Sequence, residues 1–196
     1  MQERNKKGLI ATRNLAYCAM LAAISVVLAR LLSFAPLPEI RISLDKFPLF
    51  LAGMFFGPLT GGIVGFVADV TGCLLSPFGF NPIFCPPAIL YGVFGGIFRM
   101  FLSKKFTLPR LAVSYLCPVV LGSWLYQSVA LALVYSSTTF WEAFIVNLGS
   151  RGIQFAIILV LEVVIIYLLT KTKLFDRLGI WPVKKKAKPS KFEPNL

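Results

Sequence analysis

Apolar residues run through this chain in six long stretches, and the breaks between them fall at prolines, glycines and clusters of charge. The first stretch, Leu9 to Leu32, is ~24 residues, long enough at ~1.5 Å per residue to cross a ~30 Å hydrocarbon core as a helix. A proline-marked loop, Ser33 to Asp45, follows it and carries Glu39 and Arg41. The second stretch, Lys46 to Phe56, is short for a full span and is predicted to tilt or to be shielded by its neighbours. The Gly57-Pro58 step then turns the chain, and Pro58 suits the first turn of a third helix that reaches about Ser76. Ser76 to Pro87 is a second loop, free of lysine and arginine. A fourth helix is predicted from Pro87 to Lys104 and a fifth from about Pro109 to Tyr135. After a tight turn at Ser136 to Thr138, Thr139 and Glu142 have the spacing of a capping box, so a sixth helix starts there and runs to about Thr170. Its ~47 Å exceeds the hydrocarbon core, so part of it must protrude or tilt.

With 57% hydrophobic residues in 196 and a mean hydropathy of +0.79, the chain reads as an all-α integral membrane protein rather than a soluble one. It divides into a short N-terminal tail (residues 1–8), one membrane domain (9–170) and a basic C-terminal tail (171–196). The net charge of +12 would suggest nucleic acid in a soluble chain, but its distribution says otherwise. Sixteen of the twenty Lys and Arg lie in Arg4 to Arg13, Arg99 to Arg110 and Lys171 to Lys191. The positive-inside rule places all three regions in the cytoplasm, which gives six transmembrane helices, cytoplasmic N- and C-termini, and a multi-pass place in the cell membrane. The tail from Lys184 to Lys191 is then an anchor near anionic lipid headgroups, with no nucleic-acid partner implied. Leu9 to Leu32 is too long for a signal-peptide core and lacks a small-x-small cleavage site, so it is expected to remain as the first helix.

The third stretch carries a ladder of small residues. Gly57, Gly61 and Gly65 recur every four residues, with Asp69 on the same rung and Gly72 one turn later. Such a strip lets another helix pack backbone to backbone. Asp69 is the exception within it, because a carboxylate at bilayer depth is costly unless it faces the bundle interior and finds a partner. Ligand contact and interior hydrogen bonding both fit that position. Ala16, Ala19 and Ala23 form a second small-residue stripe on the first helix, which serves ordinary helix packing unless something outside the chain docks there.

Depth follows from the basic residues used as rulers. Arg151 lies ~30 Å from Lys171 and Arg30 ~26 Å from Arg13, so both arginines reach the outer boundary. Tyr91 stands ~20 Å above Lys104, Trp124 ~21 Å above Arg110 and Asp69 ~18 Å above Gly57, a shared and deeper level. The arithmetic predicts a cup opening outward, with aromatic rings and a carboxylate below and two guanidinium groups at its rim. Glu162 falls nearer the midplane and reads as an interior structural partner. The outer half offers the chemistry of recognition: arginine for carboxylates, aromatics for a flat ring, and Asp69, Asn81, Asn147 and Gln154 for ring-edge hydrogen bonds.

Catalytic chemistry is poorly represented. The chain contains no histidine, which removes the commonest general base and zinc ligand. Neither a phosphate loop nor an HExxH or GxSxG motif occurs. The four cysteines, Cys18, Cys73, Cys85 and Cys117, show no metal spacing; Cys73 and Cys85 could approach each other on the outer side, but buried thiols suffice. No enzyme, metal or cofactor is expected. A lipid-modifying enzyme would need an acidic metal cluster that the eight scattered acids do not supply.

The run LDKFPLFLAGMFFGPLTGGIVGFVADVTGCLLSP resembles the second and third helices of the substrate-binding S components of energy-coupling factor (ECF) vitamin transporters. It is most similar to the folate-specific family, through Pro48, Gly53, Gly57 and Pro58 and through Gly65, Asp69 and Gly72. VVLARLLS, FNPIF, GSWLY and GSRGIQ extend the similarity across about residues 12 to 170. The chain departs from that family where Gly-Phe-Thr usually follows the third-loop proline, having Ile83, Phe84, Cys85, Pro86 and Pro87 instead, and at Gln154, where a lysine is common. The resemblance implies that Arg30 and Arg151 contact the ligand and that the first and third outer loops gate it. It also implies that Ala16, Ala19 and Ala23 dock on a membrane scaffold subunit, which with two ATPases forms an ECF module of separate chains. The expected function is therefore a folate-binding subunit of an ECF-type importer. Arg30 and Arg151 would hold anionic or polar groups, Trp124, Tyr91 and Phe84 would flank the rings, and Asp69 or Asn147 would meet the pterin donor edge. An S component for another vitamin or a nucleobase-like micronutrient is the alternative.

Overall fold

The computed structural model describes residues 2–31, 34–37, 40–75, 81–135 and 139–172, with backbone alone at 2–11, 34–37, 40–42 and 153. Glu39, most of the second loop, the Ser136 to Thr138 turn and the basic tail around Lys184 to Lys191 lie outside the described residues.

Helix α1 spans Gln2–Leu31. It starts well before the Leu9 boundary expected from hydropathy, because the polar residues ahead of Leu9 are good helix formers with no proline among them. A small hairpin follows, β1 (Phe34–Leu37) antiparallel to β2 (Ile40–Ile42), with Phe34 opposite Ile42 and Leu37 opposite Ile40. It lies within the proline-marked loop expected between the first two helices. Then come α2 (Phe47–Phe56), α3 (Pro58–Leu74), a 3₁₀ turn at Pro82–Phe84, α4 (Pro86–Ile97) and α5 (Arg99–Lys104). The remainder is α6 (Leu108–Pro118), a π-helical stretch (Val119–Tyr126), α7 (Gln127–Tyr135) and α8 (Phe140–Lys171). Thr139 holds the N-cap position of α8 as expected, but its side chain makes no cap hydrogen bond.

Among the described residues, four helical stretches are long and apolar enough to cross a membrane: Thr12–Leu31, Pro82–Lys104, Leu108–Val134 and Gln154–Lys171. Helices α2 and α3 are apolar but shorter. What lets them pack is glycine. A Cβ on Gly53 would stand 1.9 Å from the Gly92 carbonyl oxygen, one on Gly65 would stand 2.3 Å from that of Ala88, and one on Gly95 would stand 2.2 Å from that of Phe50. The α2, α3 and α4 backbones therefore touch, as the ladder predicted, and α1 lies against α2 and α3. Gly57 serves differently: it joins α2 to α3 at φ +103°, a conformation that side chains with a Cβ rarely adopt.

The other half is built from α6, the π-helical stretch, α7 and α8. Pro118 has no N–H and its ring crowds the carbonyl one turn earlier, and the widened turns begin at the next residue. The two halves meet through a fully buried carboxylate. Glu162 of α8 accepts the Phe47 N–H at 3.2 Å, capping α2, and the Tyr115 hydroxyl at 2.7 Å. Tyr115 in turn packs edge-on against Phe50, with ring centroids 4.9 Å apart. Glu162 is thus the interior structural partner its depth suggested.

Candidate functional site

A cavity of about 400 Å³ opens at the end of the bundle where α1 and α3 finish and α4 begins. Seven of the nine residues predicted to bind ligand line it: Arg30, Asp69, Asn81, Phe84, Tyr91, Arg151 and Gln154.

Each is placed by local structure. Arg30, in the last turn of α1, donates from Nη2 to the Gly72 carbonyl. Its Nε is buried without a hydrogen-bond partner. Arg151 projects from the first half of α8, its guanidinium carbon 6.0 Å from the centre of the Phe155 ring. Asp45 and Lys46 form an ion pair, Oδ2 to Nζ 2.6 Å, and among the described residues neither arginine makes one. Asp69, one turn from the end of α3, has two thiols for neighbours: Cys73 Sγ at 4.0 Å, and Cys85, which hydrogen-bonds to it. Asn81 accepts the Ile83 N–H at 3.1 Å through Oδ1, which caps the 3₁₀ turn carrying Phe84. Tyr91 forms the floor, nearly fully buried, with its hydroxyl 2.9 Å from Ser123 Oγ. Gln154 is buried on the same face of α8 as Arg151.

Trp124 and Asn147 stand outside the cavity lining. The Trp124 indole donates from Nε1 to the Leu148 carbonyl at 2.9 Å and packs over Gly152, tying the π-helical stretch to α8. Its depth was estimated for a regular helix, but wider π turns rotate the faces, so Ser123 and Gln127 point inward instead. Asn147 donates back to the Ala143 carbonyl of its own helix at 2.8 Å. The alanines of the proposed docking stripe, Ala16, Ala19 and Ala23, are all exposed on α1.

Several lining residues were not anticipated, among them Ser25, Asp45, Lys46, Ser123, Gln127 and Phe155. Ser25 donates to the Asp45 carbonyl at 2.7 Å, while Glu162 holds the Phe47 N–H, so the segment bearing the Asp45–Lys46 pair is pinned from α1 and α8. Burial works to raise the Asp45 carboxyl, but the adjacent Lys46 ammonium more than offsets it and holds it below its ordinary value. Lys46 did carry a signal: it is one of four Lys or Arg outside the three basic regions, with Arg30, Arg41 and Arg151. Chemically the cavity offers two guanidinium groups that make no ion pair among the described residues, the Asp69 carboxylate, the Asp45 carboxylate paired with Lys46, and aromatic surface. That set suits a partly flat ligand with anionic groups and a hydrogen-bond-donating edge.

The family model for the substrate-specific component of ECF transporters matches residues 13–171. The chain is similar to the folate transporter FolT of Clostridium novyi (strain NT), with 31% identity over 165 residues, 84% of this chain and 90% of that one. Among solved structures it is similar to FolT crystallised with folic acid, at a TM-score of 0.70 and 30% identity, covering 82% of this chain and 94% of that one. It shares the fold of ThiT from Listeria monocytogenes, at a TM-score of 0.62 and 19% identity over 85% and 96% of the two chains.

Proposed function

The chain belongs to the substrate-specific components of ECF transporters, and we propose that within that family it is the membrane subunit that captures folate. Folate enters the reading through the relatives that carry its name, one 31% identical and one crystallised with folic acid. The observation that supports it on this molecule is the pair of guanidinium groups, Arg30 and Arg151, which make no ion pair among the described residues and share a polar cavity with Asp69. Folate carries carboxylates at one end and a pterin ring with a donor edge at the other. The arginines take the carboxylates, Asp69 takes the donor edge, and Phe84 and Tyr91 flank the ring. The volume of about 400 Å³ lies within the ~300–1,000 Å³ of small-molecule sites.

Six crossings, with both termini cytoplasmic, put this cavity on the outer face. The short α2 and α3 count among the six because glycine contacts shield them inside the bundle. No ATP-binding motif occurs in the chain, so the energy for release comes from an ECF module of scaffold subunit and ATPases, docked along Ala16, Ala19 and Ala23. Isothermal titration of the purified protein tests the ligand. Folate should bind at micromolar concentration or tighter, and cationic thiamine should not; absence of binding at micromolar folate overturns the reading.

A further inference from the structure

Two thiols meet one carboxylate at the edge of the folate cavity. The glycine contacts set the register of α3 against α4: Gly61 meets Gly92, and Gly65 meets Ala88. One further turn along this antiparallel pair brings Asp69 to Cys85, whose thiol hydrogen-bonds to the carboxylate. Cys73, on the next turn of α3, donates from Sγ to Asp69 Oδ2 at 4.0 Å. Both cysteines are free, and they differ in access. Cys73 is half-buried and lines the cavity, whereas Cys85 is 3% exposed and holds the N-cap position of α4, directly after Phe84. The other two thiols lie elsewhere: Cys18 belongs to the core, and Cys117 donates to the Val113 carbonyl of its own helix.

We propose that Cys73 and Cys85 are an oxidation-sensitive pair, converted by a low-molecular-weight disulfide from outside into a disulfide bond that weakens folate binding. The proposal rests on the outward-facing folate site argued above, and the outside of a cell is where such bonds persist. Cys73, reached through the cavity, gives its proton to Asp69, and its thiolate attacks one sulfur of the incoming disulfide and releases one thiolate. Cys85 gives up its proton by the same route, and its thiolate attacks the Cys73 sulfur of the mixed disulfide and releases the second. The incoming disulfide is thus reduced by two electrons to two thiols, which take up the two protons. Asp69 loses both S–H donors that hold it for the pterin edge. Drawing Cys85 toward Cys73 also shifts the adjoining 3₁₀ turn, and Phe84 with it.

Intact mass and folate titration of the purified full chain, before and after treatment with oxidised glutathione, test it. Oxidation should lower the mass by two hydrogens, join the peptides that carry Cys73 and Cys85, and weaken folate binding about tenfold, the loss of one good hydrogen bond. Dithiothreitol should reverse all three changes. Cys117→Ser should respond as wild type does, whereas Cys73→Ser should form no such bond and bind folate equally well with and without the oxidant. Two thiols that remain free under the oxidant, a glutathione adduct that stays on Cys73, or a disulfide that leaves folate affinity unchanged would overturn the proposal. Failure of the folate reading shows separately, as no binding by the reduced protein, and the mass then still decides whether the two thiols join.

Discussion

Replacing Gly92 by alanine puts one methyl group where α4 meets α3 backbone to backbone. The new Cβ would stand 2.0 Å from the Gly61 carbonyl oxygen, and ordinary contact begins at 3.4 Å, so the helices must part by 3.4 − 2.0 = 1.4 Å along that line. The obstacle is main chain, and no rotamer relieves it. Neighbouring contacts open together with this one: Gly53 against Gly92, Gly65 against Ala88 and Gly96 against Pro58. Overpacking alone costs ~1–3 kcal/mol, and the loosening of these neighbours puts Gly92→Ala at about 3 kcal/mol. For a chain of this size that is a fall in Tm of roughly 6–12 °C. Gly149 provides the control, because its Cβ would meet nothing within 4 Å and it lies exposed on α8. Alanine there should stabilise by ~0.5–1 kcal/mol through helix propensity. Thermal unfolding of both variants in detergent, followed by tryptophan fluorescence, reads opposite signs if the reasoning holds. A Gly92→Ala protein that melts with the wild type, or with Gly149→Ala, would refute the direct contact of the α3 and α4 backbones.

Arg151→Gln should weaken folate binding by roughly 10–100-fold in isothermal titration, the loss of one charge-assisted contact, while leaving the Tm of the unliganded protein within a few degrees of wild type. Ala19→Leu should leave folate affinity unchanged and prevent co-purification with the ECF module; equal recovery of the complex would remove the stripe on α1 as the docking surface. Asp45→Asn strips Lys46 of its counterion and should lower Tm at neutral pH. Because the folded Asp45 carboxyl titrates below its ordinary value of 3.8, its contribution is present above that value and is lost as pH falls through the lower folded one. The variant and the wild type should therefore converge in strongly acidic buffer, and a difference that persists there would show that the ion pair is not its source.

The helical order was legible because hydropathy and punctuation agree: the starts of α2, α3 and α4 fall within a residue of those expected from Lys46, Pro58 and Pro87. The glycine ladder gave the packing of α3 before any partner was known, because small residues spaced by four leave only backbone to touch. Two things were hidden. The early start of α1 lay in polar residues that a hydropathy reading discards, although their helix propensity is high. The π-helical stretch after Pro118 has no composition of its own, and it carried Trp124 away from the cavity while turning Ser123 toward it.

The cavity itself was legible through depth and resemblance: the helix ruler put Arg30 and Arg151 near the outer boundary, the family resemblance gave them to the ligand, and the cavity holds both. Each is also a cation away from the basic regions, which in a chain whose lysines and arginines serve topology needs a local reason to be there. Lys46 satisfies the same criterion but stands next to Asp45 in sequence, where the pair resembles ordinary loop polarity at the head of a helix. The structure separates the two cases. Lys46 is neutralised by its neighbour at 2.6 Å, whereas the arginines make no ion pair among the described residues. A half-buried cation with a built-in counterion contributes shape and a polar wall. A half-buried cation without one favours whatever anion the cavity admits, and so Arg30 and Arg151, rather than Lys46, bias this site toward a carboxylate-bearing ligand.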